Sequence, residues 1–208
     1  MVRAASRKAM YGVGINDADY VTQPSDKLQR CPIFDRWHSM IRRCYSENSL
    51  ARHPRYEMVT VCQEWRTFSN FKSWMEMQDW EGLALDKDIL GDGNLYSPET
   101  CRFIPQEVNS FFAESTQSDT PGVRLKFKDG RKKPYIAQAM VDGVKKHLGV
   151  FSDTLKAHRA WQDAKLSGLD RLILEYPTLD KDIMKIIKTC RQQLQDDIES
   201  GEITRRLK

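Results

Sequence analysis

Hydrophobic residues in the first half of the chain recur at helical spacing in two places. The first stripe consists of Phe34, Trp37, Met40, Ile41, Cys44 and Tyr45, and the second of Trp65, Phe68, Phe71, Trp74 and Met75. Residues three and four apart lie on one face of a helix, so each stripe predicts an amphipathic helix. We expect the two helices to pack together, with a polar loop over 46–54 and a short strand over 59–61 between them.

The hydrophobic period changes to two in the segment 122–151. Val123, Leu125 and Phe127 alternate there with basic residues, which is typical of a strand that buries one face. Asp-Gly pairs at 129–130 and 142–143 are typical of hairpin turns. The segment therefore predicts three antiparallel strands.

Two helices are predicted after the strands. The first is capped by Ser152 or Asp153 and stops at Ser167-Gly168. The second follows Pro177, stops at Gly201 and leads into a frayed basic tail. Its apolar stripe consists of Leu179, Ile183, Ile186, Ile187, Cys190, Leu194 and Ile198. The stripe either packs back on the protein or forms a homodimer with a second copy, and the pattern leaves both open.

These elements define an α+β protein with four segments. They are an irregular N-terminal arm (1–30), a mixed module (31–119), a sheet with one helix (120–168), and a C-terminal helix with a basic tail (169–208). Because no apolar run reaches membrane-spanning length and the N-terminus lacks a signal-like apolar centre, we expect a cytoplasmic protein without a membrane partner. Five scattered cysteines do not suggest a disulfide framework.

Charge is distributed unevenly over the 208 residues, although the net value is only +4. Residues 31–119 carry 9 basic and 14 acidic side chains, a net charge of −5. Residues 120–168 carry 11 basic and 4 acidic side chains, a net charge of +7. The basic segment predicts a surface for a polyanion, whereas the acidic module would need a metal ion or a basic neighbour to hold one.

Short oxygen-bearing side chains are concentrated between Leu85 and Phe103. Asp86, Asp88, Asp92 and Asn94 surround two glycines. Such a set suits a hard divalent cation such as Mg²⁺. The same residues are also ordinary turn formers, so a solvated turn between two strands is the alternative interpretation.

Three blocks of residues in this region carry a family resemblance. They are Trp37, Met40, Arg43, Cys44 and Tyr45; then Val61, Cys62, Glu64, Trp65, Phe68 and Phe71; then Leu85, Asp86, Asp88, Gly93, Asn94, Tyr96 to Glu99, Cys101 and Arg102. In this order they resemble the HNH-type endonucleases of bacteriophages. The resemblance implies a ββα module with flanking helices, hydrolysis of phosphodiester bonds with a divalent metal such as Mg²⁺, and action in the cytoplasm of a bacterial host.

The resemblance also implies roles for single residues. Asp86, Asp88 and Asn94 would lie at the metal, and Asn109 would be the last Asn of the pattern. Lys87 stands where the family places its histidine base, and neighbouring carboxylates favour the charged form of a lysine.

His38 and His53 lie outside the motif and are therefore candidate bases. Together with Asp86 and Lys87 they make up the set of candidate catalytic residues. A zinc site at Cys44, Cys62 and Cys101 lacks a Cys-x-x-Cys pair, so small buried residues are the preferred interpretation.

Two function hypotheses follow from this departure from the family pattern. One is a metal-dependent DNA endonuclease. The other is an HNH-fold protein without catalysis that binds DNA or a host protein, for example as an inhibitor. The missing histidine favours the second hypothesis, and the retained acidic residues favour the first.

The basic segment carries a second resemblance, to the Apetala2-type DNA-binding domain. The matching residues are Gly-Val-Arg at 122–124, Tyr-Ile-Ala at 135–137, His-Leu-Gly-Val-Phe at 147–151 and Ala-His-Arg-Ala-Trp at 157–161. The resemblance implies that the sheet enters the major groove of double-stranded DNA. The residues it places toward DNA are Arg124, Lys126, Lys128, Arg131, Lys132, Lys133, Tyr135, Gln138, Lys145 and Lys146. Among them, Arg124 and Gln138 are the candidates for base edges, and a solvated basic face is the alternative.

Overall fold

The computed structural model describes residues 9–26, 30–112, 119–126, 132, 134–141 and 143–207. The chain divides into two compact units, Met1–Phe103 and Ile104–Lys208. Helices and small sheets are mixed along the chain, so the predicted α+β class is confirmed. In the part that the structure describes, none of the helices combines the length and apolar character needed to cross a bilayer.

The first unit is built mainly of helices. Its elements are α1 (Pro32–Tyr45), α2 (Glu47–Arg52), a 3-10 helix (Pro54–Tyr56), β1 (Thr60–Val61), a second 3-10 helix (Glu64–Arg66), α3 (Phe68–Met75), β2 (Ala84–Asp86), β3 (Leu95–Tyr96) and β4 (Arg102–Ile104), the last of which reaches the boundary between the units. β1 pairs in parallel with β3, and β2 pairs with β4.

The two predicted amphipathic helices form the core of this unit. Phe34 of α1 meets Phe68 of α3 edge to face, with ring centroids 5.2 Å apart. Trp37 is fully buried, and its Nε1 donates a hydrogen bond of 2.6 Å to the Trp65 carbonyl oxygen. The buried indole thus has a partner for its only polar atom, as burial of a tryptophan requires. The prediction that the two stripes pack on each other is confirmed.

The predicted polar loop over 46–54 is wrong, because α2 and a 3-10 helix lie there. No residue of α2 is buried. Sequence periodicity reports burial, so a short exposed helix leaves no apolar stripe to detect. The short strand expected over 59–61 is confirmed as β1.

Residues 9–26, the larger part of the predicted N-terminal arm that the structure describes, contain no helix or strand and pack against the rest of the first unit. Ile15 bridges to Thr67 in parallel. Asp17 accepts hydrogen bonds from the backbone N–H and the hydroxyl of Ser69, at 2.9 and 2.6 Å. A side chain at Gly14 would lie 3.1 Å from the Trp37 ring, so glycine permits this close approach.

The second unit contains the predicted three-stranded sheet. Its elements are α4 (Gln106–Phe112), β5 (Val123–Leu125), β6 (Tyr135–Val141), β7 (Val144–Phe151), α5 (Thr154–Glu175) and α6 (Lys181–Ser200). The strands are antiparallel in the order β5-β6-β7. α5 packs on this sheet, and α6 packs on α5. Asp153 caps α5 by accepting from the Lys156 N–H at 2.8 Å, as predicted.

The predicted end of α5 at Ser167-Gly168 is wrong, because the helix continues to Glu175. A Cβ at Gly168 would lie 2.7 Å from the Phe111 ring of α4, so this glycine allows close packing inside a helix. Leu169 and Leu172 continue the buried face beyond it.

The end of the chain resolves one open alternative and corrects one prediction. Ile183, Ile187, Cys190 and Leu194 of α6 are buried in the packing of α6 on α5, so this stripe is not left exposed for a homodimer. Asp180 caps α6, a position that the sequence analysis did not identify. Gly201 ends the helix at φ 75°, as predicted. The frayed tail is wrong, because Thr204 is 1% exposed and hydrogen-bonded to the body of the unit.

Candidate nucleic-acid interface and acidic loop

The register of the three strands determines which side chains share a face. Arg124 pairs with Ile136, Gln138 with His147, and Met140 with Lys145. Paired residues lie on the same face, and so do residues two apart on one strand. We call this face the open face; it consists of Arg124, Lys126, Ile136, Gln138, Met140, Lys145, His147 and Val150.

The open face presents cations around a small apolar centre. Arg124, Lys126, Lys145 and His147 are exposed, and Gln138 is half-buried. Ile136 is buried at the centre, where it pairs with Arg124 on one side and Val150 on the other. A neutral hydrogen-bonding side chain thus lies among positive charges, which suits a surface that meets both phosphates and base edges.

The opposite row of the sheet holds two of the residues predicted to face DNA. Tyr135 alternates with the buried Ala137 and Ala139, and Lys146 pairs with Ala139. These alanines are fully shielded on the strand that packs against α5, and we place the helix on their side. Lys145 and Lys146 therefore point to opposite faces, a separation that charge counting along the sequence does not reveal.

The loop after β5 is described only in part. Lys132 is exposed. Lys128, Arg131 and Lys133, which the sequence also placed toward DNA, lie outside the described residues.

His147 is a candidate residue that the sequence reasoning did not select. It is exposed and pairs directly with Gln138 across β6 and β7. A register shift between Ala137 and Gln138 brings the two together, because β7 contributes one extra residue there. Counting along β7 without this bulge does not predict the pair, so only the strand register identifies it.

The acidic loop, residues 86–94, is organised by the carboxylate of Asp86. This side chain is buried, and its Oδ1 accepts the backbone N–H groups of Asp88 at 3.0 Å and Ile89 at 2.8 Å. Burial raises the pKa of the carboxyl group, and the two N–H groups oppose that shift. Asp86 therefore acts as the hydrogen-bond acceptor that shapes the turn after β2.

Lys87 supplies a positive charge inside the same loop. Its side chain is only 7% exposed, and its Nζ lies 2.6 Å from Oδ1 of Asp88. The ammonium group also lies 5.4 and 5.5 Å from the ring centroids of Tyr56 and Tyr96, within cation–π range. A Cβ at Gly93 would lie 2.5 Å from Oδ1 of Asp88, so glycine permits the close approach of the backbone to this ion pair.

The three predicted metal ligands have different partners. Asp86 accepts hydrogen bonds from backbone N–H groups, and Asp88 forms an ion pair with Lys87. The backbone N–H of Asn94 donates to Asp92 Oδ1 at 2.9 Å. Among the described residues, no group of three or more His, Cys, Asp or Glu side chains converges in a way that could hold a metal ion. The Lys87 ammonium group already pairs with Oδ1 of Asp88, so the protein itself supplies a cation to this carboxylate.

The two histidines predicted as bases have partners outside the loop. His38 Nε2 lies 3.2 Å from the Tyr11 hydroxyl, and its ring stacks on Phe34 with centroids 5.9 Å apart. Burial, with the nearby Arg42 guanidinium, lowers the pKa of His38 and favours its neutral ring. His53 is exposed at the end of α2. Neither contact set involves the acidic loop.

The remaining motif residues occupy structural positions. Cys44 and Cys101 are buried in the first unit, and burial raises the pKa of both thiols to about 12. Cys62 is half-buried, and its thiol pKa is also raised by burial. Asn109 lies in α4 of the second unit, where its N–H donates to the Pro105 carbonyl at 3.1 Å.

Comparison with protein-family models, with curated proteins and with solved structures gave no match to this chain.

Proposed function

We propose that the protein binds double-stranded DNA through the open face of its second unit, and that its acidic loop is a scaffold without hydrolytic activity. The observation that carries the proposal is the sheet register, which collects Arg124, Lys145 and His147 around Gln138 on one exposed face. Arg124 and Lys145 are the cations on this face that can bind phosphates, and the central amide of Gln138 can read a base edge.

The local charge supports a nucleic-acid partner. Residues 120–168 have a net charge of +7, which attracts a polyanion and makes its binding dependent on salt. The resemblance of this segment to the Apetala2-type domain agrees with the choice of DNA.

The internal pairing of Lys87 supports the non-catalytic half of the proposal. Hydrolysis assisted by a metal requires open carboxylates and a base that can accept a proton. Here one carboxylate bonds the backbone and another bonds an ammonium group. A charged lysine beside Asp88 has no free electron pair with which to activate water.

Salt-dependent DNA binding tests the interface through two adjacent lysines. We expect Lys145→Ala to reduce the slope of log affinity against log salt by about one, because one phosphate contact is lost. Lys146→Ala removes the same charge from the other face and should change the slope by less than half as much. The measurement is fluorescence anisotropy on a random duplex at several salt concentrations.

Equal losses in the two lysine variants would contradict the assignment of the open face. Salt-independent binding by the unaltered protein would contradict DNA binding through cations altogether. Lys188→Ala, an exposed cation on α6, controls for a general effect of lowering net charge.

Plasmid cleavage distinguishes this proposal from the endonuclease hypothesis. We expect supercoiled DNA to remain intact with Mg²⁺ or Mn²⁺, at protein concentrations that shift the same DNA on a gel. Nicking that depends on the metal and disappears in Asp88→Ala would establish the nuclease and overturn the scaffold role of the loop.

A further inference from the structure

The buried side chain of His158 joins two segments that are far apart in sequence. Its Nδ1 lies 2.9 Å from the Pro121 carbonyl oxygen, just before β5. Its Nε2 lies 3.1 Å from the backbone nitrogen of Thr204, near the end of the chain. A carbonyl can only accept and an amide N–H can only donate, so Nδ1 carries the proton and Nε2 is the acceptor. The contacts therefore fit the neutral imidazole.

Other polar contacts hold the C-terminal segment 202–207 in place. Thr204 Oγ1 donates to Asp197 Oδ2 of α6 at 2.6 Å. Gln162 Nε2 of α5 donates to the Glu202 carbonyl at 2.9 Å and to Thr204 Oγ1 at 3.0 Å. These bonds converge on Thr204, which is buried. On α6, Gln193 Nε2 donates to the Arg206 carbonyl at 2.9 Å. The bonds to α5 thus centre on Thr204 and its neighbour Glu202, and His158 supplies one of the acceptors.

We propose that His158 is a pH-operated latch: protonation of its imidazole releases residues 202–207 from α5 while the contact to Pro121 remains. The two contacts respond differently because a protonated imidazole carries an N–H on both nitrogens. Nδ1–H continues to donate to Pro121. Nε2–H faces the Thr204 N–H, so two donors oppose each other inside the protein. The released segment carries the exposed residues Arg205 and Arg206.

The charges around His158 determine where the latch operates. Burial lowers the pKa of His158, while the Pro121 hydrogen bond and the Asp197 carboxylate raise it by less. Arg159, the next residue of α5, donates to the Ile198 carbonyl of α6, and the Trp161 ring stacks on the imidazole at 5.2 Å. Because the folded pKa lies below the unfolded value, the folded state binds fewer protons. The latch is fully formed above about pH 6.5 and is lost as pH falls through the folded pKa.

Hydrogen–deuterium exchange at individual amides tests the latch between about pH 8 and pH 5. After correction for intrinsic exchange, we expect protection of the Thr204 amide to fall about tenfold per pH unit below the His158 pKa, because one proton is linked to release. Amides of β6 should keep their protection over the same range. Loss of protection in both places together would indicate unfolding of the unit and would overturn the latch.

Matched variants separate the imidazole from the rest of the network. His158→Gln cannot be protonated, so the pH dependence of protection at residue 204 should disappear. Thr204→Ala keeps the backbone N–H but loses the hydroxyl bonds, so protection should weaken while its pH dependence stays. His53→Gln removes an exposed histidine of the first unit and should change neither property. A pH dependence that persists in His158→Gln would contradict the proposal.

A titration of the unaltered protein provides a test that needs no folded variant. The midpoint of the His158 Cε1–H chemical shift should coincide with the midpoint for loss of Thr204 amide protection. Two separate midpoints, or protection that does not change with pH, would overturn the latch.

Discussion

Gly122→Ala is expected to destabilise the second unit by roughly 3–5 kcal/mol, through overpacking added to a strained backbone. A Cβ at this position would lie 2.0 Å from Cδ1, 2.2 Å from Cγ and 2.7 Å from Cβ of Trp161. The inner atoms of the indole cannot swing away, because they are fixed to the backbone of α5. Gly122 also has φ 77°, a conformation that side chains disfavour. Native-state hydrogen exchange of β6 amides measures the loss directly in this unit.

Gly143→Ala is the matched control for this substitution. Gly143 has φ 67°, but nothing lies within 4 Å of its Cβ position. The variant should therefore lose only the backbone preference, about 1–2 kcal/mol. Equal losses of stability in the two variants would show that Trp161 does not lie against Gly122. The packing of α5 on the sheet would then differ from the one described.

The elements that the sequence predicted correctly are those that bury an apolar stripe. α1, α3 and α6 each place their periodic residues in a core, so periodicity and burial report the same quantity there. The alternating row of β5 is the exception, because Leu125 is 46% exposed and the predicted burial of this row is wrong. No residue of α2 is buried, so this helix has no apolar stripe from which the sequence could predict it.

Two predictions near the C-terminus were wrong because Gly168 and Thr204 make long-range contacts that their residue types do not indicate. Gly168 looks like a helix stop, but it is a contact point for the Phe111 ring. Thr204 looks like part of a polar tail, but its burial rests on hydrogen bonds with His158 and Gln162, which are more than 40 positions away along the chain. Neither contact has a local signature.

The acidic loop illustrates the same limit for chemistry. The sequence identified its dense oxygen atoms, and it identified Lys87 as a departure from the HNH-like pattern. It did not predict that the ammonium group would lie between Tyr56 and Tyr96 and pair with Asp88. Those tyrosines are separated from Lys87 by about 30 and 9 positions, so only the fold reveals that the loop neutralises its own charge.

Asp86 provides the second large effect, and two substitutions there separate a structural acceptor from a metal ligand. Asp86→Ala removes the acceptor for the N–H groups of Asp88 and Ile89. Leaving these N–H groups without a partner costs about 2–4 kcal/mol, and the side chain leaves a small void besides. We expect the loss in the first unit, measured by hydrogen exchange at the core amides of α1.

Asp86→Asn is expected to retain the stability that the alanine variant loses, because the amide oxygen can accept the same two hydrogen bonds. Burial raises the Asp86 pKa, so the folded state favours the uncharged form, and ionisation costs stability as pH rises from the unfolded toward the folded pKa. The neutral amide avoids that cost, so Asp86→Asn should match or exceed the unaltered protein at pH 7. An asparagine variant as unstable as the alanine variant would show that the negative charge itself is needed, and it would return the loop to the metal-site hypothesis.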